Sequence, residues 1–165
     1  MALINEKVSL PHFSKRESEP NVIVLHSCYS KFSPNFFCYK SIISYLNEQK
    51  LSYHFLISRS GQIFELVDPD YKAWHAGESF FPELNINNLN DSSIGISLIA
   101  TETSGYSYPQ TVALYNLLRS LFSLYPIRAI TSHAHIAPQR KSDPWNFDWQ
   151  ELKRVFKSEK VLIVP

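Results

Sequence analysis

The run Val22-Ile23-Val24-Leu25, which ends at His26, is the feature that most restricts how this chain can fold. The four residues are apolar without alternation, so the strand that they predict at 21–26 is buried on both faces. Such a strand belongs in the middle of a sheet that is covered on both sides. A histidine that leaves a buried strand is also held rigidly, at an edge where a functional site is well placed.

Other segments complete the predicted architecture. Two β-rich runs around Gly61 predict a hairpin, and the alternating run at 93–100 predicts another strand. Apolar residues at helical spacing predict helices near 39–49 and from Pro109 to about 124, and Asp148 with Glu151 predicts the cap of a last helix. We therefore expect a single α/β domain, a mixed central β-sheet of about five strands flanked by helices. The predicted strands lie at 21–26, 51–57, 62–67, 93–100 and 127–131.

Length and charge limit the possible functions. A chain of 165 residues suits one domain, which we place at 21–157 between an N-terminal arm (1–20) and a C-terminal tail (158–165). The net charge of +1 gives no broad electrostatic footprint for nucleic acid or an anionic membrane surface. The arm is charged and has no apolar core typical of a signal peptide, and no later run could span a bilayer. We expect a cytoplasmic monomer in which Cys28 and Cys38 are free thiols.

The segment from Thr131 to Pro144 concentrates residues that can hold a metal, namely His133, His135 and Asp143. A catalytic zinc needs three protein ligands and one open position for water. Two ligands could come from this segment, and His26 is the obvious third. A His-x-His pair in a loop is more often two solvated or hydrogen-bonded imidazoles, so spacing alone leaves that alternative open.

The same segment resembles a family signature. His133, Ile136-Ala137-Pro138, Arg140-Lys141, Asp143-Pro144 and Phe147-Asp148-Trp149 are similar to the motif of zinc-dependent N-acetylmuramoyl-L-alanine amidases of the AmpD type. Three further segments match in the same order, so the resemblance extends over about residues 20–157. It implies the fold shared with peptidoglycan-recognition proteins. The further segments are the strand ending at His26; Ser52-Tyr53-His54 with Gly61; and Trp74-His75-Ala76-Gly77 leading to Ser93-Ile94-Gly95-Ile96.

The resemblance implies an enzyme of cell-wall recycling that hydrolyses the amide between N-acetylmuramic acid, in its 1,6-anhydro form, and L-alanine of a peptidoglycan stem peptide. It implies one zinc ion per chain, held by His26, His133 and Asp143. Lys141 would stabilise the developing oxyanion.

The same resemblance suggests roles for residues around the metal. Arg140 could hold a peptide carboxylate, although a solvated surface charge is an equal alternative. Trp74, His75 and Ser97 would contribute to the substrate-binding cleft. His135 stands where the family usually has aspartate, so we do not expect it to be a ligand. We also expect His12 to be solvated and His54 to be structural.

One position departs from the recycling amidases. They follow the Ser93–Ile96 motif with a glutamate that transfers protons, and this chain has Ser97 there. Phage amidases of the same superfamily also lack the glutamate and carry a tyrosine beside the zinc, at the position of Tyr53. Two functions stay open: a working amidase, or a catalytically weak or inactive module that binds peptidoglycan fragments. The three ligands favour the first function, and Ser97 favours the second.

Overall fold

The computed structural model describes residues 4–165. Within this range the chain forms a strand-rich fold with four α-helices and a short 3-10 helix at Pro82–Leu84. The strands are β1 (Glu6–Lys7), β2 (Phe13–Lys15), β3 (Val22–Cys28), β4 (Phe55–Ile57), β5 (Ile63–Glu65), β6 (Tyr71–Ala73), β7 (Phe80–Phe81), β8 (Ile86–Asn87), β9 (Ser93–Ile99), β10 (Ala129–Ser132) and β11 (Leu162–Val164). The helices are α1 (Tyr39–Glu48), α2 (Tyr108–Leu124), α3 (His133–Ile136) and α4 (Trp149–Val155).

Seven strands form the central sheet, in the order β1-β5-β4-β9-β3-β10-β11. The apolar run predicted to be central is central: β3 lies parallel to β9 on one side and to β10 on the other. The sheet is mixed because β4 and β5 pair antiparallel across the predicted hairpin, where Gly61 has a φ of +83°. The predicted α/β class with a mixed sheet and helices is confirmed.

The two faces of the sheet are covered by different elements. Ile23 and Leu25 pack on the side of α2 and α4. Val22 and Val24 point to the opposite side, where they pack against Phe81 and Leu89 of the long connection between β5 and β9. On that second side α1 covers β4 and β5. Since side chains alternate along a strand, His26 emerges on the second face, between α1 and the connection.

Two edge strands enlarge the sheet beyond the five strands predicted. Glu6 and Lys7 pair parallel with β5, and the strand at Leu162–Val164 pairs parallel with β10. The segments set apart as an arm (1–20) and a tail (158–165) are thus hydrogen-bonded into the sheet where the structure describes them. β2, which also belongs to the arm, pairs antiparallel with β6 in a separate two-stranded sheet.

The connection at 68–91 is ordered by polar contacts from the arm and from within. The half-buried side chain of Asn90 accepts hydrogen bonds from the backbone N–H groups of His75 and Ala76, at 3.0 and 2.7 Å. The Arg16 guanidinium is the main tie to the arm, because it donates to five backbone carbonyls around the connection. These carbonyls belong to Pro69, Tyr71, Asn90, Asp91 and Ser93.

The three longer helices, α1, α2 and α4, begin close to where the sequence predicts. Ser107 and Gln110 form a capping box at the start of α2, with Pro109 in its first turn, and Asp148 accepts from the Glu151 N–H at the start of α4. None of the helices in the described range is long and apolar enough to cross a bilayer.

Candidate metal centre

His26 lies within β3 with its imidazole completely buried. Its Nδ1 atom is 3.0 Å from Nδ1 of His133 and 3.4 Å from a carboxylate oxygen of Asp143. The neighbouring strand places Ser97 directly opposite His26 in the register. The central strand therefore delivers one nitrogen to a cluster whose other members come from the far end of the chain.

His133 is positioned by a turn of helix where the sequence analysis expected a loop. Ser132 ends β10 and caps α3, since its hydroxyl accepts from the His135 N–H at 2.8 Å. His133 is thus the first residue of α3, and its buried ring faces His26. Serine is a common residue at the N-terminal cap of a helix, so Ser132 was a sequence signal for this turn of helix. The sequence analysis interpreted the segment only as a source of metal ligands.

Asp143 is tied to both of the elements that carry the histidines, the strand β3 and the helix α3. Its backbone carbonyl accepts from the N–H of Ala134 at 2.9 Å, and its side chain accepts from the N–H of Ser27 at 3.3 Å. One carboxylate oxygen lies 3.2 Å from Nδ1 of His133. These tethers hold a buried carboxylate against two imidazoles.

The cluster presents lone pairs rather than hydrogens to its own centre. His133 Nε2 lies 3.3 Å from the carbonyl oxygen of Ala76, and a carbonyl only accepts, so this nitrogen carries the ring hydrogen. In a neutral imidazole Nδ1 is then unprotonated, yet it faces the carboxylate of Asp143, which is also an acceptor. A cation between these atoms resolves the conflict.

The spacing of the ligand atoms fits zinc. The candidate ligand atoms of the three residues lie within 4.8 Å of one another. Nδ1 of His26, Nδ1 of His133 and Oδ2 of Asp143 are separated by 3.0, 3.3 and 3.4 Å. Zn–N and Zn–O bonds of about 2.0–2.2 Å in a tetrahedron place the ligand atoms roughly 3.3–3.5 Å apart. Two histidines and one carboxylate are a catalytic rather than a structural zinc set, because they leave a fourth position open.

The charge states also suit a metal. Burial, reinforced by electrostatic repulsion from His133 when that ring is protonated, lowers the pKa of His26 to about 4, so the His26 imidazole is neutral near pH 7. Burial alone would raise the pKa of Asp143, but its hydrogen bonds with His133 and His26 outweigh burial and hold that pKa well below its usual range. Neutral imidazole and ionised carboxylate are the forms that bind metal ions.

Three hydroxyl or thiol groups lie together beside His26. The Tyr53 ring centroid is 5.0 Å from that of His26, and Ser97 donates a hydrogen bond to Cys28 Sγ at 3.2 Å. Burial raises the pKa of Cys28 to about 12 and raises the pKa of Tyr53 well above its ordinary value. At neutral pH these groups are uncharged donors, and none of them can act as a carboxylate base would.

A cleft of about 150 Å³ opens beside the cluster. Lys141 and Arg140 are exposed at its rim. Arg140 Nη2 donates to the carbonyls of Ala76 and Glu78, so part of its planar fork is engaged by the protein. The lining includes the predicted residues Tyr53, Trp74, His75, His133, Arg140 and Lys141. Ser97 is fully buried and is not among the residues that line the cleft.

A larger cavity, of about 850 Å³, lies elsewhere along α2. Tyr108, Val112 and Arg119 are among its lining residues, and none of the predicted site residues lines it. The residues that the sequence predicts to bind metal and substrate therefore lie at or beside the smaller cleft and not at the larger cavity.

The remaining histidines lie outside the metal-binding cluster. His135 Nε2 pairs with the carboxylate of Glu83 at 3.0 Å. His54 is buried, where its Nδ1 accepts from the Gly95 N–H at 2.9 Å and its Nε2 lies 3.0 Å from the carbonyl of Tyr71. His12 is half-buried and its Nε2 lies 2.9 Å from the Asn47 side chain, a contact that the prediction of a solvated ring did not include.

The sequence analysis did not identify the contact between His75 and His26. His75 Nδ1 lies 2.9 Å from His26 Nε2, on the side of the ring away from the metal-binding cluster. The motif Trp74–Gly77 was the signal available, but it gives no indication that the histidine faces another histidine. Asn90, which holds the backbone of His75, carried no motif at all.

Comparison with known proteins agrees with this geometry. Residues 16–146 match the family described as N-acetylmuramoyl-L-alanine amidase. The 1,6-anhydro-N-acetylmuramyl-L-alanine amidase AmpD of Citrobacter freundii is 33% identical over 168 residues, which span 89% of this chain and 87% of that protein.

Two solved structures extend the agreement to the fold. A crystal structure of a selenomethionine derivative of AmpD has a TM-score of 0.73 and 31% identity, covering 91% of this chain and 93% of that chain. The amidase AmiD from E. coli, in complex with anhydro-N-acetylmuramic acid-L-Ala-D-γ-Glu-L-Lys, has a TM-score of 0.70 and 29% identity. That alignment covers 86% of this chain and 60% of AmiD. On the strength of the family match, the identity with AmpD and the shared fold, this chain belongs to the N-acetylmuramoyl-L-alanine amidase family.

Proposed function

We propose that this chain is a zinc-dependent amidase that cleaves the bond between 1,6-anhydro-N-acetylmuramic acid and L-alanine of a peptidoglycan stem peptide. The observation that carries the proposal is the convergence of His26, His133 and Asp143 on one point, with lone pairs facing inward. The substrate follows from the relatives: AmpD is named for this bond, and AmiD is described in complex with such a substrate.

The metal and the cationic rim have separate tasks in this proposal. A bound zinc would supply a nucleophilic water at neutral pH and polarise the scissile carbonyl. Lys141, at the rim of the same cleft, stabilises the negative charge that develops on the carbonyl oxygen. Arg140 keeps its Nη1 and Nε groups free of hydrogen bonds to described residues, so they can bind a carboxylate of the stem peptide.

Proton transfer is the weak step of this site. Hydrolysis places the water oxygen on the lactyl carbon, and the departing amino group of L-alanine must take up a proton. Ser97 cannot hold a proton in transit near neutral pH, and the raised pKa of Tyr53 makes it a donor rather than a base. We infer that Tyr53 donates a hydrogen bond to the reacting oxygen, and that the rate is lower than with a positioned glutamate.

A fragment-binding module is the second candidate, and Ser97 is the observation that favours it. Purified protein incubated with a defined anhydro-muropeptide separates the two functions. The enzyme releases a peptide with a new N-terminal alanine, detected by mass spectrometry, and a chelator stops the release until zinc is restored. Binding of the muropeptide without any released peptide over hours would favour the module.

The form of the substrate is a further part of the proposal. The relatives named above act on or bind an anhydro-muropeptide, so we expect soluble fragments to be cleaved faster than intact sacculi. Efficient solubilisation of sacculi would contradict this expectation. The cytoplasmic location and the monomeric state expected from the sequence stay predictions.

A further inference from the structure

The second ring nitrogen of His26 points away from the metal-binding cluster and meets another imidazole. His26 Nε2 is 2.9 Å from His75 Nδ1, and the two rings are nearly perpendicular, at 88°. Both side chains are buried, at 0% and 7% exposure, so water does not compete for this contact. The partner of this metal-ligating histidine is therefore itself a histidine, in place of the more usual carboxylate, carbonyl or water.

The direction of the hydrogen bond follows from the metal site. A metal at Nδ1 of His26 leaves the ring hydrogen on Nε2, so His26 donates and His75 Nδ1 accepts. His75 then carries its own hydrogen on Nε2, which lies 3.3 Å from the Ser93 hydroxyl. Ser93 in turn donates to the carbonyl of Leu89. Every donor in this relay has an acceptor, and the relay ends at a backbone group.

The fold holds the His75 ring from two sides. Asn90 fixes the His75 backbone, as described above, and Gly95 of β9 provides the space for the ring. A Cβ atom at Gly95 would lie only 2.6 Å from the His75 ring. Steric contact thus explains why the Ser93–Ile96 motif has glycine at position 95. Any side chain there would occupy the space of the His75 imidazole.

We propose that His75 is a positioning residue for the metal site, which fixes the tautomer and the ring orientation of His26 through this relay. The inference rests on the proposed zinc site, and it gives His75 a role different from direct contact with substrate. Both of its ring nitrogens are engaged inside the protein. Loss of an outer-shell partner typically weakens metal binding by about 10- to 100-fold.

The test compares zinc dissociation constants, measured by competition with a chromophoric chelator. In His75→Phe a ring still fills the space beside Gly95, but the acceptor is lost, and we expect zinc to bind about 10- to 100-fold more weakly. His75→Gln restores an acceptor and should recover part of this loss. The matched control is His135→Phe, which removes an imidazole outside the metal-binding cluster and should leave zinc affinity unchanged.

Two further readouts separate positioning from general damage. The visible spectrum of the cobalt-substituted protein should change in His75→Phe, because the ligand geometry changes. At saturating zinc the KM of this variant should stay near the wild-type value, since His75 is not proposed to touch substrate. If His75→Phe fails to fold, Ser93→Ala shortens the relay while keeping His75, and a smaller loss of zinc affinity is expected.

Different outcomes identify different errors. Wild-type zinc affinity in His75→Phe, or an equal loss in the Phe and Gln variants, would refute the positioning role. In that case a zinc-dependent wild-type protein that still cleaves muropeptide would leave the proposed function intact. Wild-type protein that binds no zinc would overturn the metal site, and this inference with it.

Discussion

Replacing Gly95 by alanine should weaken zinc binding without altering any of the three proposed ligands. The added Cβ would lie 2.6 Å from Cγ and Nδ1 of His75, whereas ordinary van der Waals contact begins near 3.4 Å. The ring must therefore withdraw by about 0.8 Å, the difference between these distances, or the strand must move. A shift of this size in the atom that accepts from His26 takes a 2.9 Å hydrogen bond beyond its normal range.

Gly95→Ala should lower the free energy of unfolding through two separate effects. Forcing a methyl group into a packed site costs about 1–3 kcal/mol of folding stability. Loss of the partner of His26 should add a 10- to 100-fold weaker zinc affinity, equivalent to about 1.4–2.8 kcal/mol of the stabilisation that zinc provides. This second loss of stability can be measured only when zinc is present.

Chemical unfolding with and without saturating zinc separates the two effects, because bound ligand stabilises the folded state in proportion to RT ln(1 + [L]/Kd). Gly105→Ala is the control: its φ of +60° makes alanine strained there, but the added Cβ meets no atom within 4 Å. Both variants should destabilise the metal-free protein, and only Gly95→Ala should lose part of the zinc-dependent increment. An increment equal to that of wild type in Gly95→Ala would refute the reasoning.

Three further predictions concern catalysis and pH. Tyr53→Phe should lower kcat more than it raises KM, and adding Ser97→Glu to the Tyr53→Phe variant should restore part of kcat. An unchanged kcat in Tyr53→Phe would remove the tyrosine from the mechanism. Lys141→Ala should retain zinc by elemental analysis but lower kcat by about 10²- to 10³-fold, as expected for an oxyanion donor, and a near-normal kcat would exclude that role. The metal-free protein should lose stability as pH falls from about 6.5 towards 3, because burial lowers the folded-state pKa of His54 to about 3 and the unfolded chain binds the proton first. Unfolding curves across this range should show a shallower dependence in His54→Gln, and an identical slope would contradict the assignment.

Much of the fold is predictable where a local pattern reflects a global position. The uninterrupted apolar run at 22–25 predicted the central strand because only a strand covered on both faces tolerates it. Gly61 predicted the hairpin because its φ of +83° is one that few other residues adopt. The capped starts of α2 and α4 were predictable for the same kind of reason, since the capping contacts are local in sequence.

The parts that the sequence did not predict depend on long-range contacts. β1 and β11 are two and three residues long, too short to show any periodicity, and their pairing depends on partners far along the chain. Arg16 looked like an ordinary charged residue of the arm, because its five carbonyl partners are brought together only by the fold.

In the metal-binding cluster, too, the residues were predictable from the sequence but their long-range contacts were not. Residue types and the family resemblance indicated His26, His133 and Asp143, and the fold brings these residues together. The relay from His26 through His75 to Ser93 could not be predicted, because it depends on the 2.9 Å approach of two rings across a strand glycine. A motif indicates which residues matter, but it does not indicate which of their atoms meet.

The central claim is that His26, His133 and Asp143 hold a zinc ion on which amide hydrolysis depends. The most direct measurement follows release of the stem peptide from a defined anhydro-muropeptide, with zinc content determined on the same samples. We expect about one zinc per chain and peptide release in wild type, loss of both in His133→Ala, and retention of both in His135→Ala. Full zinc content and undiminished peptide release in His133→Ala would contradict the account.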